Sequence, residues 1–267
     1  PSLSGSGSRP RGFAAIGHVM RAQSDPAAFG QHIAWAGWMI LAAMVFDALD
    51  GKVARLARAT SDFGAELDSL CDVISFGVAP GLIISRMATQ LDFLPRFGWA
   101  AGAIFMLCAA LRLARFNVET SADEESHHYF KGLPSPAAAG FIAAMAINIY
   151  GMQEEALAAH EFAGVAKAVA PVMANMLYAM PYAGFVLAIL MISNIRYIHV
   201  MNKMLRAQEP LDYLVKLILV IFLAILTRPF SLPLLVGAYI FSGLVNWVKE
   251  MVMSRLPEHI REHGQRP

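Results

Sequence analysis

Asp47-Ala-Leu-Asp50-Gly51-Lys-Val-Ala54-Arg55 and, after eight further residues, Gly64-Ala-Glu-Leu-Asp68-Ser-Leu-Cys-Asp72 form the stretch from which the chain is best read. Asp47 and Asp50 are three residues apart, a spacing that puts both on one face of a helix. They close an apolar run from about Gln31 to Leu49. Asp68 and Asp72 are four apart and open the next apolar run, Leu67 to Met87. The connection between the runs is short enough to return the chain as a neighbouring antiparallel helix. Four carboxylates then converge near one end of two adjacent helices.

Carboxylates at membrane depth are costly and by default mark function. Four together repel, and each raises the others' affinity for protons. A divalent cation removes that conflict, and an all-oxygen ligand set favours Mg²⁺ or Mn²⁺. Two such ions can clamp a phosphoryl group between its attacking and leaving oxygens. Gly51, Ala54 and Gly64 leave room for the backbone to approach a bulky diphosphate. Arg55 can fork onto a phosphate, and Ser61 or Thr60 can donate to a phosphate or a nucleoside. Plainer roles exist for each residue singly. One Asp at a helix end can be a cap, Arg55 and Arg58 can anchor a helix at the membrane surface, and Gly64 can be a helix-entry glycine. Those roles do not account for four Asp at these spacings with Gly and Arg between them.

The rest of the chain reads as a membrane protein. Of its 267 residues, 57% are hydrophobic and 15% charged, against roughly a quarter charged in soluble domains. One soluble core of this length could not hide so much apolar surface. A net charge of +1 gives no electrostatic argument for nucleic acid. Cys71 and Cys108 lie in apolar stretches without ligand spacing and read as small core residues. With about 20 apolar residues needed per span, about eight candidates appear: Gly12 to Met20, Gln31 to Leu49, Leu67 to Met87, Phe97 to Phe116, Pro134 to Tyr150, Ala174 to Ile192, Tyr213 to Leu226 and Leu232 to Val248. The first is short, as a truncated span would be. The expected fold is all-α, a polytopic transmembrane helical bundle. It would form one domain over residues 12–250, with a flexible N-terminus over 1–11 and a polar tail over 251–267. No signal peptide is expected at the N-terminus. Basic residues concentrate in alternate loops: Lys52, Arg55 and Arg58; Arg112, Arg115 and Lys131; Arg196, Lys203 and Arg206; Lys249 and Arg255. That bias places the acidic cluster on the cytoplasmic side. Trp35, Trp38, Trp99 and Trp247 lie near span ends, where interfacial anchoring and helix packing explain them equally well.

At Asp47, Asp50, Gly51, Ala54, Arg55, Gly64, Asp68 and Asp72 the sequence resembles the CDP-alcohol phosphotransferases, whose signature is D-x-x-D-G-x-x-A-R, eight residues, G-x-x-x-D-x-x-x-D. Every fixed position is filled at the family's spacing. Within the family the chain is similar to a bacterial and archaeal branch whose acceptor is L-serine. That likeness rests on Phe63 to Pro80, Arg112 to Asn117, Phe130 to Ala139 and Ser193 to Tyr197, and runs from about Gly12 to Trp247. It departs at residues 3 to 11, which are polar where family members have an apolar helix entry that helps build the nucleotide site. The resemblance implies that Asp47, Asp50, Asp68 and Asp72 bind a two-metal Mg²⁺ or Mn²⁺ site, with Asp72 as general base. It implies that Gly51, Arg55 and Ser61 hold the CDP moiety. It also implies a homodimer in a bacterial cytoplasmic membrane, the site open to cytoplasm and lipid. The substrates would be CDP-diacylglycerol and L-serine.

Arg112, Arg115 and Lys131 are candidates for recognising the acceptor's carboxylate or a phosphate, with helix-end anchoring an equal alternative. His127 and His128 sit in an acidic polar loop and read as solvated. Two rivals remain at this stage. A sister transferase with glycerol 3-phosphate, inositol phosphate or choline as acceptor shares the acidic signature. A divalent-cation transporter would place its carboxylates near the bilayer midplane on broken helices, whereas these lie at helix ends beside basic loops.

Overall fold

The computed structural model describes residues 9–24, 28–57, 62–91, 95–122, 129–158, 163–198, 233–234, 236–243 and 245. Its elements run α1 (Arg9–Ser24), α2 (Phe29–Ala57), α3 (Asp62–Val73), a π turn (Ile74–Val78), α4 (Ala79–Ala88), α5 (Pro95–Ala122), β1 (Tyr129–Lys131), α6 (Ser135–Ala158), α7 (Ala163–Ile192) and β2 (Arg196–Ile198). The fold is an all-α bundle, with one small antiparallel ribbon where β1 meets β2. Helices α2, α5, α6 and α7 are apolar around most of their circumference. That pattern suits a helix whose solvent is apolar on every side.

Among the described residues, five helical segments are long and apolar enough to cross a bilayer: Phe29–Asp47, Glu66–Ala88, Pro95–Val118, Ser135–Met152 and Pro171–Ile192. They correspond to the second through sixth spans expected from sequence. The chain is therefore a membrane protein. The expected first span is the core of α1, whose 16 residues fall short of the usual spanning length. The expected seventh span, 213–226, lies outside the described residues, as does Trp247. The eighth is described only in its middle. The side chains of Trp35, Trp38 and Trp99 are exposed, as are those of Val45, Leu107, Leu111, Val186, Ile189 and Phe241. Exposed apolar groups on membrane-length helices form a surface matched to acyl chains.

Helix α2 passes through the apolar window and continues unbroken to Ala57. Lys52 and Arg55, expected in a loop, are on its final turns instead. Helix α1 packs along α2, α6 covers α2's other side, and α4 and α7 pack on α5. Cys71 and Cys108 are both buried and free.

Close approach of helices comes from small residues, since lipid supplies no hydrophobic drive between them. The α4–α5 crossing is made by Gly81 and Gly102. A Cβ on Gly102 would strike the carbonyl oxygen of Gly81, and one on Gly81 would lie 2.8 Å from the carbonyl oxygen of Gly102. Neither partner is a flexible side chain that could move away. By contrast, a Cβ on Gly17 of α1 meets nothing within 4 Å. Gly102→Val should cost about 1–3 kcal/mol by overpacking, read as a lowered thermal midpoint in detergent. Gly17→Ala should leave the midpoint unchanged or raise it slightly.

Candidate active site

Asp47 reaches the site from α2 and Asp72 from α3, one residue before that helix ends. Both are half-buried, and their carboxyl groups lie within electrostatic and hydrogen-bonding range of one another. Ionised carboxylates only accept hydrogen bonds, so this contact needs a shared proton or a cation between the two groups. Asp68, one turn earlier on α3, is exposed and lies within electrostatic range of Asp72. Asp50, Gly51, Ala54 and Arg55 are on the last turns of α2, but their side chains fall outside the described residues. Gly64 is half-buried in the first turn of α3. Thr60, Ser61, His127 and His128 lie outside the described residues.

Among the described residues, no three His, Cys, Asp or Glu side chains are gathered closely enough to hold an ion. The described carboxylates supply a contacting pair, Asp47 and Asp72, with Asp68 standing off. An all-oxygen pair of adjacent like charges fits a hard divalent cation.

What fixes Asp72 is the π turn that follows. The N–H of Ala79 donates to the carbonyl of Ile74, five residues back. Pro80, next in line, has no N–H to give, so the wide turn is closed where an α-helical ladder would be interrupted anyway. Ser75, Phe76 and Gly77 of this turn are buried. A Cβ at Gly12 of α1 would clash with Ser75 Oγ, and one at Gly77 would lie 3.1 Å from the Ala109 Cβ of α5. The π turn is thus gripped between α1 and α5. Such turns recur at functional sites. The signal in the sequence was Gly77 and Pro80 inside an otherwise helical run, and the sequence reading passed over it.

The basic residues separate. Arg112, half-buried on α5, donates from Nη1 to Ser135 Oγ at 3.1 Å. It is also in electrostatic contact with Asp72 and with Tyr239. Arg115, one turn on, donates from Nη2 to Asn194 Oδ1 at 2.8 Å. Lys131 is on β1, its side chain outside the described residues. A small recess of about 20 Å³ is lined by Asp72, Val73, Ala109, Arg112, Leu113, Ser135 and Pro136. That is room for about one water-sized group. Asn117 Nδ2 donates to Ser69 Oγ at 3.1 Å, tying the end of α5 to α3. Ser135, Tyr239 and Asn194 were not singled out from sequence. The first two are ordinary residues in apolar helices, and only their position beside Arg112 marks them.

The β1–β2 ribbon joins two segments that are far apart in the chain. Tyr129, Phe130 and Lys131 pair with Ile198, Tyr197 and Arg196. Beyond the ribbon, the Gly132 N–H donates to the Ile195 carbonyl at 2.8 Å and that of Leu133 to the Leu190 carbonyl at 3.0 Å. Ser135 follows at the start of α6, so these bonds set its position.

The structure is an apolar membrane bundle with a carboxylate pair beside a recess that holds an arginine. The chain belongs to the CDP-alcohol phosphatidyltransferase family, which its residues 16–195 match. It is 34% identical over 222 residues to a Helicobacter pylori protein named CDP-diacylglycerol–serine O-phosphatidyltransferase, covering 81% of each chain. A Methanocaldococcus jannaschii protein of the same name is 45% identical over 101 residues, 38% of this chain and 45% of its own. One from Saccharomyces cerevisiae, also so named, is 42% identical over 116 residues, 42% of this chain and 41% of its own.

Gly132 has φ +87°, and a Cβ there would strike the Met191 carbonyl oxygen. Gly132→Ala should therefore cost more than the roughly 1–2 kcal/mol of left-handed strain alone. It should lower the thermal midpoint and expose the 129–131 segment to limited proteolysis.

Proposed function

We propose that the chain is a metal-dependent CDP-diacylglycerol–serine O-phosphatidyltransferase. It would move the phosphatidyl group of CDP-diacylglycerol to the hydroxyl of L-serine, releasing CMP. The observation that carries this reading is the Asp47–Asp72 pair beside the recess of Arg112 and Ser135. It joins an anionic site able to take a metal and a proton to a cationic site able to take an acceptor's carboxylate. The names of the relatives support the same substrates.

Asp47, Asp50, Asp68 and Asp72 would hold Mg²⁺ or Mn²⁺. When bound, the ions supply positive charge to the diphosphate oxygens and to the departing CMP. The residues' own work is positioning and proton transfer. Gly51, Ala54 and Gly64 admit the CDP diphosphate against the backbone, and Arg55 and Ser61 bind its oxygens or the nucleoside. Asp72 accepts the proton of the serine hydroxyl. The serine oxygen forms a bond to the phosphorus that carries diacylglycerol. The bond from that phosphorus to the bridging oxygen breaks, and the electron pair leaves with CMP. Arg112, Arg115 and Lys131 provide the charge that selects an anionic acceptor. Orientation and charge stabilisation suffice for such a transfer. The concentration of basic residues on the same side as the carboxylates supports a site facing the cytoplasm of a bacterial cytoplasmic membrane. A homodimer is the assembly proposed.

CMP release from CDP-diacylglycerol by the purified protein tests this directly. Release should require Mg²⁺ or Mn²⁺, stop with a chelator and resume on adding metal back. It should occur with serine and not with glycerol 3-phosphate, inositol phosphate or choline. Asp72→Asn should lower kcat by about 10²–10⁴-fold, the usual size of a general-base contribution. Release with a different acceptor would overturn serine and keep the family chemistry.

A further inference from the structure

We infer that Ser135 is a positioning residue for the acceptor, acting through Arg112. The inference rests on the transfer reaction proposed above and separates Arg112 from the other basic candidates. Among the described basic residues, Arg112 alone shares the recess with Asp72. Arg115, on the same helix, is turned to Asn194, just before β2. A guanidinium is a planar fork that recognises a carboxylate best when its plane is fixed. On α5 alone, a long arginine side chain has many rotamers. The hydrogen bond from Nη1 to Ser135 Oγ selects one that faces the recess.

Ser135 can do this because it is rigid. It is buried at the first residue of α6, between Pro134 and Pro136, whose rings fix their own backbone φ. The two residues before Pro134 are clamped to the carbonyls of Ile195 and Leu190. Its hydroxyl thus has a fixed origin from which to hold Arg112. The recess has room for about one water-sized group, so it would take one oxygen of a carboxylate rather than a whole substrate. In serine, two carbons separate the carboxylate carbon from the hydroxyl oxygen. A carboxylate seated on Arg112 therefore brings that hydroxyl to the Asp72 side of the recess, where its proton is to be removed. The geometry makes Ser135 a determinant of serine affinity rather than of the chemical step.

The test is steady-state CMP release by purified wild type, Ser135→Ala and Ser135→Thr, with serine and CDP-diacylglycerol varied separately. Losing one hydrogen bond to a charged group corresponds to roughly a tenfold or larger effect. Ser135→Ala should raise the KM for serine about tenfold or more, with kcat and the KM for CDP-diacylglycerol within about twofold. Ser135→Thr, which keeps the hydroxyl, should stay close to wild type. An unchanged serine KM in Ser135→Ala, or an equal loss against both substrates, overturns the inference. If Ser135→Ala lacks a cooperative thermal transition, Ser135→Cys is read instead. It keeps the volume and replaces the oxygen by a weak acceptor, and an unchanged serine KM there overturns the inference equally. Wild type that releases no CMP with serine would overturn the proposed reaction itself. Wild type that does, beside indifferent Ser135 variants, would overturn only the role of Ser135.

Discussion

Two carboxylates in contact at the end of apolar helices are an electrostatic problem that the surrounding structure exists to hold in place. Asp47 and Asp72 come from different helices, and their repulsion would part them unless both backbones were fixed. Helix α2 is held by α1 and α6. The α3–α4 rod is held by α5, with the π turn gripped by Gly12 on one side and Ala109 on the other. Glycines at these contacts allow backbones to approach without the flexible side chains that would let the pair relax apart. The charge of Arg112 makes the arrangement tolerable as well as useful, since a cation beside an anionic pair offsets part of the cost of placing either in a medium of low dielectric.

The same constraint explains why the polar residues of α5 are divided among partners. Arg112, Arg115 and Asn117 fall within two turns of one helix, yet each bonds a different element: Ser135 on α6, Asn194 before β2, and Ser69 on α3. Helix α5 is therefore the post to which the acidic helix, the ribbon and the start of α6 are tied. A bond of this kind at a helix end, where water competes, contributes modestly to stability. Its larger effect is directional, because it fixes which way each side chain faces.

Much of this was legible in the sequence, for identifiable reasons. Long apolar runs state the membrane class by themselves, and five of the expected spans return within a few residues of their predicted bounds. Helical spacing and a short connection led to the expectation that all four Asp converge; among the described residues Asp47 and Asp72 meet while Asp68 is exposed. The extension of α2 to Ala57 was missed because charged residues after an apolar run look like a loop, although Lys and Arg are good helix formers. The ribbon was missed because three-residue strands carry no periodicity to detect. The partition of Arg112 from Arg115 could not be read at all. Three residues on a helix place both on nearly one face, and only the positions of Ser135 and Asn194, far along the chain, decide where each guanidinium turns.

That partition bears on how one scaffold can serve different acceptors. In the proposed reaction the carboxylates would hold the metal at the CDP-linked lipid, with Asp72 also serving the acceptor hydroxyl, and they sit on two helices close in sequence. The groups proposed to meet the acceptor come from α5, the start of α6 and the ribbon, segments joined through tertiary contacts. On that proposal, a change at residue 135 would alter how Arg112 faces the recess. On the proposed reaction, acceptor choice and phosphoryl chemistry would be carried by parts of the bundle that meet at Asp72, which lines the recess and belongs to the acidic pair. Such a separation would explain why the acidic signature alone leaves the acceptor open.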